Sequence, residues 1–323
     1  MKIAIGCDPN AQSAKEELIR FIESRKLGEV TDFGSDDPIY ANVAILSLIH
    51  IWQGIADAIL TGEEEKIREL LREEDCDPGQ FRIIPADTDQ ECARKTVEAV
   101  RRGSAQFLMK GFLGTADLMR EVVNHDTGIS GGGFLSHVMF FEQRNYPKLL
   151  CLTDGGMCTF PTLEQKVQIL KNAAAVMKRL GYNRIQAACV CGAENVNPKI
   201  TATTDADRLT KMKDQWEPIN MNVYGPVGLD MAVSRESCAH KHYEAEGAGE
   251  ADILLVPTYE VGNGIGKAML YFGGAKNAGM IVGAQAPVIL VSRSDTAESK
   301  LASIALAAIT AEAPGGENET GTV

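Results

Sequence analysis

Residues 148–192, KLLCLTDGGMCTFPTLEQKVQILKNAAAVMKRLGYNRIQAACVCG, indicate the fold class of this chain. A short apolar run opens the stretch and another closes it. Between them, apolar residues recur at helical spacing until a glycine ends the pattern. Strand, helix and strand in this order predict two parallel strands joined by a covering helix. We therefore expect an α/β fold.

The same alternation continues on both sides of this stretch. Further strand-like runs are KIAIGC, QFLMKG, MNVYGPV, DILLVPTY and APVILVSR, and further helix-like stretches are EEEKIRELLREE, TDQECARKTVEAVRRG and ESKLASIALAAITA. The apolar runs lie near Gly, Pro or Asp, which is typical of strand ends. Runs such as DILLVP suit strands that are covered on both faces. The pattern predicts mainly parallel sheets with covering helices.

Length and composition restrict the class of protein. The chain has 323 residues, of which 45% are apolar and 24% charged, which is enough for two packed α/β domains. Its net charge of -12 argues against a nucleic-acid or membrane partner, because both need a basic face. No run of about 18 apolar residues and no cleavable signal is recognisable. We expect a cytoplasmic protein.

Cysteine and histidine spacing predicts neither disulfides nor a metal site. The eight cysteines show no paired CxxC spacing, so we expect reduced thiols that are mostly small core residues. His137 and the His240/His242 pair lack a third ligand at metal-binding spacing and are predicted to be packing or surface residues. Neither a metal nor a tightly bound cofactor is expected.

The first 44 residues follow a pattern of their own. They contain a strand, a GCDPNA turn, an amphipathic helix and the sequence DFGSDDPIY. In these features they resemble the N-terminus of the B-type ribose-5-phosphate isomerases. The similarity stops near Ala44, before the catalytic cysteine and the later phosphate ligands that such an isomerase needs. We interpret residues 1–44 as a strand and helix fragment without chemistry.

Residues 46–51, LSLIHI, explain this break. Back-translated as CTG TCT CTT ATA CAC ATC, they match the mosaic end of a transposase-based sequencing adaptor, and its next base permits the TGG codon of Trp52. An ordinary apolar strand or helix is the alternative, which periodicity alone does not exclude. We interpret residues 45–52 as an artificial junction, and His50 receives no catalytic role.

From Gln53 onward, the chain carries a dense series of motifs. In order, they are QGIADAILTGEEEKI, ARKTVEAVRRGSAQFLMKGFLGTADLMREVV, KLLCLTDGGMCTFPTLEQKVQIL, YGPVGLDMAVS, ADILLVPTYEVGNGIGKAMLYFGGAKNAGMIVG and APVILVSRSDTAESKLASIALA. Together they resemble the phosphate acetyl/butyryltransferase family. Four details look more like the butyryltransferase branch, namely LMKG, LSH at Leu135–His137, KH at Lys241–His242 and SRSDTAESK.

The resemblance implies a reaction and an architecture. That family transfers an acyl group between coenzyme A and inorganic phosphate. Its active site lies in a cleft between two doubly wound α/β/α domains of the isopropylmalate-dehydrogenase-like type, and its members are homodimers that pair through the second domain. Here, domain I would be residues 53–144 and 285–312, domain II residues 145–284, and 313–323 a flexible tail. Acyl-CoA and phosphate would be the partners, with coenzyme A as a substrate.

The sequence VSRSDTAE, residues 291–298, carries the implied catalytic residues. By resemblance, Ser292 would hydrogen-bond the thioester, and Arg293 would bind phosphate and the developing negative charge. The family base is an aspartate a few residues further on. The spacing differs here, so that Asp295 or Glu298 would take its place. Without the resemblance, SRSD reads as a strand end followed by a helix cap.

A second element is GTADLMRE at residues 114–121. Thr115 is expected to cap a helix that starts at Ala116, and the free N–H groups there favour phosphate. Arg120 matches the arginine of the family pattern TADLLRP and is expected to face phosphate, with a surface salt bridge as the alternative. Lys110 follows the strand QFLM, at the end where parallel sheets meet ligands.

A third element is EVGNGIGK at residues 260–267. Its glycines allow close backbone approach, and Asn263 and Lys267 can donate to phosphate or coenzyme A. Gly266 stands where the family has a tyrosine. Glycine spacing alone is weak evidence, because such clusters usually mark turns.

Three function classes remain open on this basis. The leading one is a short-chain acyltransferase, and the others are a sugar-phosphate isomerase and a noncatalytic phosphate or coenzyme A binding protein. A dehydrogenase is disfavoured, because no G-x-G-x-x-G follows a strand with an acidic residue about 20 positions on. The junction has removed the family's first strand and helix. We therefore expect this polypeptide to be unstable or weakly active.

Overall fold

A computed structural model describes residues 56–111, 113–290 and 295–311 fully, and residues 2–5 and 29–32 as backbone. The chain divides into two compact units. Unit 1 comprises Met1–Ile129 and Val288–Val323, and unit 2 comprises Ser130–Pro287.

In the described residues, the strands are β1 (Lys2–Ile5), β2 (Glu29–Asp32), β3 (Ile59–Gly62), β4 (Arg82–Pro85), β5 (Leu108–Met109), β6 (Ser136–Glu142), β7 (Leu150–Thr153), β8 (Ile185–Val190), β9 (Met221–Val227), β10 (Ile253–Leu255), β11 (Lys276–Val282) and β12 (Val288–Ile289). The α-helices are α1 (Glu64–Glu73), α2 (Asp89–Arg101), α3 (Thr115–Val122), α4 (Leu163–Arg179), α5 (Thr201–Lys211), α6 (Lys213–Trp216), α7 (Leu229–Val233), α8 (Arg235–His240), α9 (Tyr259–Tyr271) and α10 (Ala297–Thr310).

Unit 1 is built from pairs of parallel strands. β1 pairs with β2, β3 with β4, and β5 with β12. Helix α1 packs its apolar face on the β3–β4 pair, where Leu71 is buried against Leu60 and Phe81. Polar side chains fix where the other helices begin. Thr88 accepts a hydrogen bond from the N–H of Glu91 at the start of α2, and Thr296 caps α10 in the same way.

Unit 2 contains a mixed sheet in the order β11–β6–β7–β10–β8–β9. The ladders among β7, β10, β8 and β9 are parallel, whereas β6 is antiparallel to both β7 and β11. All four residues of β7 and all three of β10 are buried. Helix α4 begins at a reciprocal capping box between Thr162 and Gln165.

The expected strand and helix alternation is confirmed over the described residues. The antiparallel strands β6 and β11 were not anticipated. They alter the division of the chain, since the pairing of β6 with β7 and β11 assigns residues 136–142 to unit 2. The two compact units meet at 129/130 and 287/288, and the domain boundaries expected at 144/145 and 284/285 stay predictions. The isopropylmalate-dehydrogenase-like arrangement and its cleft stay predictions.

The expected junction at residues 45–52 and the tail at 313–323 lie outside the described residues. Of the isomerase-like fragment, the structure describes β1 and β2 alone. The seven described cysteines are free thiols, and Cys151, Cys189, Cys191 and Cys238 are buried. None of the described helices is long and apolar enough to span a bilayer.

Candidate active site

Two buried lysines lie at the carboxyl end of the β5–β12 pair in unit 1. Lys110 directly follows β5, and its backbone N–H donates to the carbonyl oxygen of Ile289 at 3.0 Å. Its Nζ donates to the carbonyl oxygen of Gly111 at 3.1 Å. Lys300 lies in the first turn of α10. The residues are 6% and 0% exposed, respectively.

The electrostatic environment of Lys300 is unfavourable for its charge. Burial lowers the pKa of its ammonium group, the nearby charge of Lys110 adds to this lowering, and Asp295 acts in the opposite direction. Lys300 was missed by sequence reasoning. Its spacing with Ile304 and Ala307, which are also buried on α10, could have revealed a lysine on an apolar helix face.

Both lysines line a cavity of about 460 Å³ in unit 1. Most of its wall is apolar and comes from β3, α1, α2 and β5, with Leu60, Leu71 and Leu108 as examples. The other charged residues in the described wall are exposed, namely Asp57, Glu63, Lys66, Asp87 and Asp89.

The predicted catalytic loop is described only from its second half. Ser292 and Arg293 lie outside the described residues. Asp295 is half-buried just before the α10 cap, whereas Glu298 is exposed in the first turn of α10. The catalytic roles of all four residues stay predictions.

The second predicted element, residues 114–121, forms the expected helix, but its first residue and the contact of Arg120 differ from the prediction. Helix α3 begins at Thr115 and its N-cap is Gly114, without a side-chain cap. The expected cap at Thr115 is therefore wrong, because that residue is already helical. Arg120 Nη1 donates to Asp117 Oδ1 at 2.9 Å, and the Arg120 side chain is 62% exposed. This geometry agrees with the surface salt bridge that was the alternative for Arg120. A phosphate-binding role for Thr115 or Arg120 stays a prediction.

The third predicted element is a regular part of helix α9. Gly262 and Gly266 are buried. A Cβ atom on Gly262 would lie 2.6 Å from the Cα of Gly155 in the loop after β7. The glycines therefore let the helix approach another segment of unit 2. Lys267 is exposed, with Nζ 5.9 Å from the ring centroid of Tyr271, and Asn263 is half-buried.

Asp154 organises the loop after β7. Its carboxylate accepts hydrogen bonds from the backbone N–H groups of His137, Gly156 and Met157 at 2.7–2.9 Å. Burial raises the pKa of the nearby Cys158 thiol to about 12, and the Asp154 carboxylate adds to this increase.

The predicted positions of the histidines agree with the structure. His137 is buried, and its ring lies against Gly156 and Gly279. His240 and His242 are exposed. Within the described part of the chain, no group of three or more His, Cys, Asp or Glu residues is placed to hold a metal ion.

A mainly parallel α/β fold with buried cations at the carboxyl end of a strand pair is typical of proteins that act on phosphorylated ligands. Comparisons with known proteins narrow this class. The family model "Phosphate acetyl/butaryl transferase" matches residues 90–308. The chain belongs to the phosphate acetyl/butyryltransferase family.

Relatives support this assignment along most of the chain. The phosphate butyryltransferase of Clostridium acetobutylicum is 38% identical over 296 residues, covering 91% of this chain and 97% of that protein. A probable phosphate butyryltransferase of Bacillus subtilis is 41% identical over 254 residues, covering 79% and 84%. The crystal structure of a branched-chain phosphotransacylase from Enterococcus faecalis has a TM-score of 0.67 and 32% identity, covering 78% of this chain and 99% of that one.

Proposed function

We propose that this protein transfers a short acyl group between coenzyme A and inorganic phosphate. An oxygen of phosphate attacks the thioester carbonyl, the carbon–sulfur bond breaks, and the thiolate of coenzyme A leaves and takes up a proton. The products are acyl phosphate and coenzyme A. The family match over residues 90–308 is the observation that carries this proposal.

The residues suggested by the resemblance supply the chemical requirements of this step. Ser292 donates a hydrogen bond to the thioester, and Arg293 stabilises the charge that develops on phosphate and on the carbonyl oxygen. Asp295 is the better candidate for the base, because it is half-buried just before α10, whereas Glu298 is exposed.

The structure supports some of the proposed substrate-binding residues more than others. Lys110 is the best supported, since it is buried at the carboxyl end of β5 beside a cavity. Thr115, Arg120, Asn263 and Lys267 stay in the proposal on the resemblance alone. Coenzyme A acts as a substrate, and no tightly bound cofactor is part of the proposal.

We propose butyryl-CoA as the preferred acyl donor. The motifs LMKG and SRSDTAESK resemble the butyryltransferase branch, and the relatives reported above that are 38% and 41% identical bear butyryltransferase names. Free thiols and the net charge of -12 are compatible with a cytoplasmic enzyme, which is the compartment we propose.

We also propose a homodimer that pairs through unit 2. Helix α9 and the residue that follows it expose apolar side chains, of which Val261 is 39%, Tyr271 68% and Phe272 92% exposed. Exposed aromatic residues grouped in this way are typical of protein interfaces. Light scattering at micromolar concentration is expected to give a dimer mass, and a stable monomer would refute this part.

A thiol-release assay tests the function. The full chain is expected to release coenzyme A from butyryl-CoA only when phosphate is present, more rapidly than from acetyl-CoA or propionyl-CoA. Ribose 5-phosphate serves as the alternative substrate, and isomerisation without thiol release would favour the isomerase. Binding of coenzyme A without turnover would favour a noncatalytic protein.

A further inference from the structure

The cavity of unit 1 has an uneven charge distribution. Among the described residues of its wall, the buried charged side chains are Lys110 and Lys300, and both are cationic. The acidic residues Asp57, Glu63, Asp87 and Asp89 and the cation Lys66 are exposed at its rim. Water screens charges at the rim far more than charges inside. The cations therefore dominate the potential inside the cavity.

Burial of two ammonium groups in one cavity is unfavourable for folding. Each loses hydration, and the two repel one another across a medium of low dielectric constant. An apolar side chain at position 300 would suit the helix face that carries Ile304 and Ala307 better. Asp295 compensates part of this charge.

The backbone adds to this positive potential. Lys300 lies in the first turn of α10, where free N–H groups form the positive end of the helix dipole. Lys110 follows β5 at the carboxyl end of two parallel strands, where α/β sheets bind ligands. Two lysine side chains, one after β5 and one on α10, together with the N-terminus of α10, therefore make one wall of the cavity attractive to an anion.

We propose that Lys300, together with Lys110, binds phosphoryl oxygens of a substrate. This inference rests on the proposed acyl transfer, which involves two substrates with phosphoryl groups, namely inorganic phosphate and coenzyme A. An ammonium group acts as a compact point charge with three donors, and it accommodates a tetrahedral phosphoryl group without a fixed orientation. Lys300 is then a binding residue that places its ammonium group at the wall of the cavity.

Calorimetric titration of the full-length protein with inorganic phosphate, and separately with coenzyme A, tests this proposal. Lys300→Met and Lys110→Met remove each charge with little change in volume, and Lys66→Met is the matched control at the exposed rim. We expect each of the first two variants to weaken binding of one ligand at least tenfold, with the control within twofold of the wild type. The affected ligand identifies the source of the phosphoryl group.

Thermal unfolding of the same variants separates binding from a purely structural role. Lys300→Met is expected to keep a single cooperative unfolding transition well above the temperature of the titration, so that a loss of ligand binding is not explained by unfolding. Unchanged binding of both ligands, an equal loss for both, or no measurable binding by the wild type would overturn the proposal. If Lys300→Met does not fold, Lys110→Met still allows ligand binding to be compared with the wild type, because its substitution lies after strand β5 and not on α10.

Failure of the anion site and failure of the proposed transferase function give different results. A wild-type protein that binds phosphate through Lys300 but never releases coenzyme A would refute the transferase and leave the anion site in place. Conversely, phosphate-dependent thiol release by Lys300→Met with unchanged Michaelis constants for both substrates would overturn the site and leave the transferase.

Discussion

Lys166 Nζ lies 2.7 Å from Asp205 Oδ2, and the two side chains are only 6% and 10% exposed. The pair joins helix α4 to helix α5 in unit 2. It borders a small cavity together with Cys191, at the end of β8, and Pro257, just after β10. A buried ion pair at this position fixes two helices relative to the carboxyl ends of two neighbouring strands.

Removal of one partner of this pair is expected to destabilise the protein strongly. Asp205→Ala leaves the Lys166 ammonium buried without its carboxylate, which costs about 3–5 kcal/mol of unfolding free energy. The double variant Lys166→Met/Asp205→Leu should recover most of this loss, because no charge remains to be desolvated. Urea denaturation measures both values. A loss below about 1 kcal/mol for the single variant would contradict a buried ion pair.

Stability is expected to fall at alkaline pH because of the buried thiols. Burial raises the pKa of Cys191 from 9.0 to about 11, with Asp205 adding to this increase and Lys166 opposing it. A raised pKa means that the folded state keeps its proton longer. The contribution to stability is complete below pH 9 and is lost as the pH rises towards 11.

The size of this effect at Cys191 is about 3 kcal/mol for two pKa units. Burial also raises the pKa of Cys151 and Cys189, so that these thiols add to the slope. Cys191→Ala should flatten the decline in unfolding free energy between pH 9 and 11 relative to the wild type. An identical slope in the two proteins would show that the Cys191 thiol titrates normally.

Two glycines of one helix should respond in opposite directions to alanine. A Cβ atom on Gly262 would lie 2.6 Å from Gly155 Cα and 2.8 Å from Val256 Cγ2, so Gly262→Ala must displace backbone. A Cβ atom on Gly264 meets nothing within 4 Å. Gly264→Ala is expected to stabilise α9 by up to about 1 kcal/mol through helix propensity. Thermal unfolding that ranks the two variants the other way would refute the packing role of Gly262.

The elements that periodicity could predict are those with continuous apolar patterns. β7, α4 and β8 were predicted because LCLT, the apolar positions of α4 and IQAACV match their periods. The first half of α9 was not recognised as helical, since three glycines lie within EVGNGIGK. A helix was expected over AMLYFGGAKNAGM, but α9 ends at Tyr271 and residues 276–280 belong to strand β11. Only tertiary packing shows that Gly262 approaches Gly155. The antiparallel direction of β6 likewise depends on pairing with residues far along the chain.

The candidate site was predictable where a residue follows a recognisable strand. Lys110 was found because it ends QFLMK, at the carboxyl end of β5. Lys300 was missed, because burial of a lysine depends on which face of α10 meets the rest of unit 1. Thr115 was misassigned by one residue, which is a common error at helix termini.

Arg293 provides the decisive comparison between an enzyme and a binding protein. If its guanidinium group stabilises charge that develops during transfer, Arg293→Ala lowers kcat about a hundredfold or more, with little effect on coenzyme A binding. Arg293→Lys should restore only part of the rate, because a point charge does not reproduce the planar fork. Arg102→Ala is the matched control, since that side chain is 71% exposed.

Arg120 should behave differently from Arg293 in the same steady-state assay. It is exposed and pairs with Asp117. Its proposed contact is with phosphate in both the ground state and the transition state. Arg120→Ala is therefore expected to raise the KM for phosphate more than it lowers kcat. If Arg293→Ala keeps kcat within a factor of two of the wild type, SRSD is only a strand end and helix cap. The catalytic assignment of Ser292, Arg293 and Asp295 would then fail together, since all three come from the same loop.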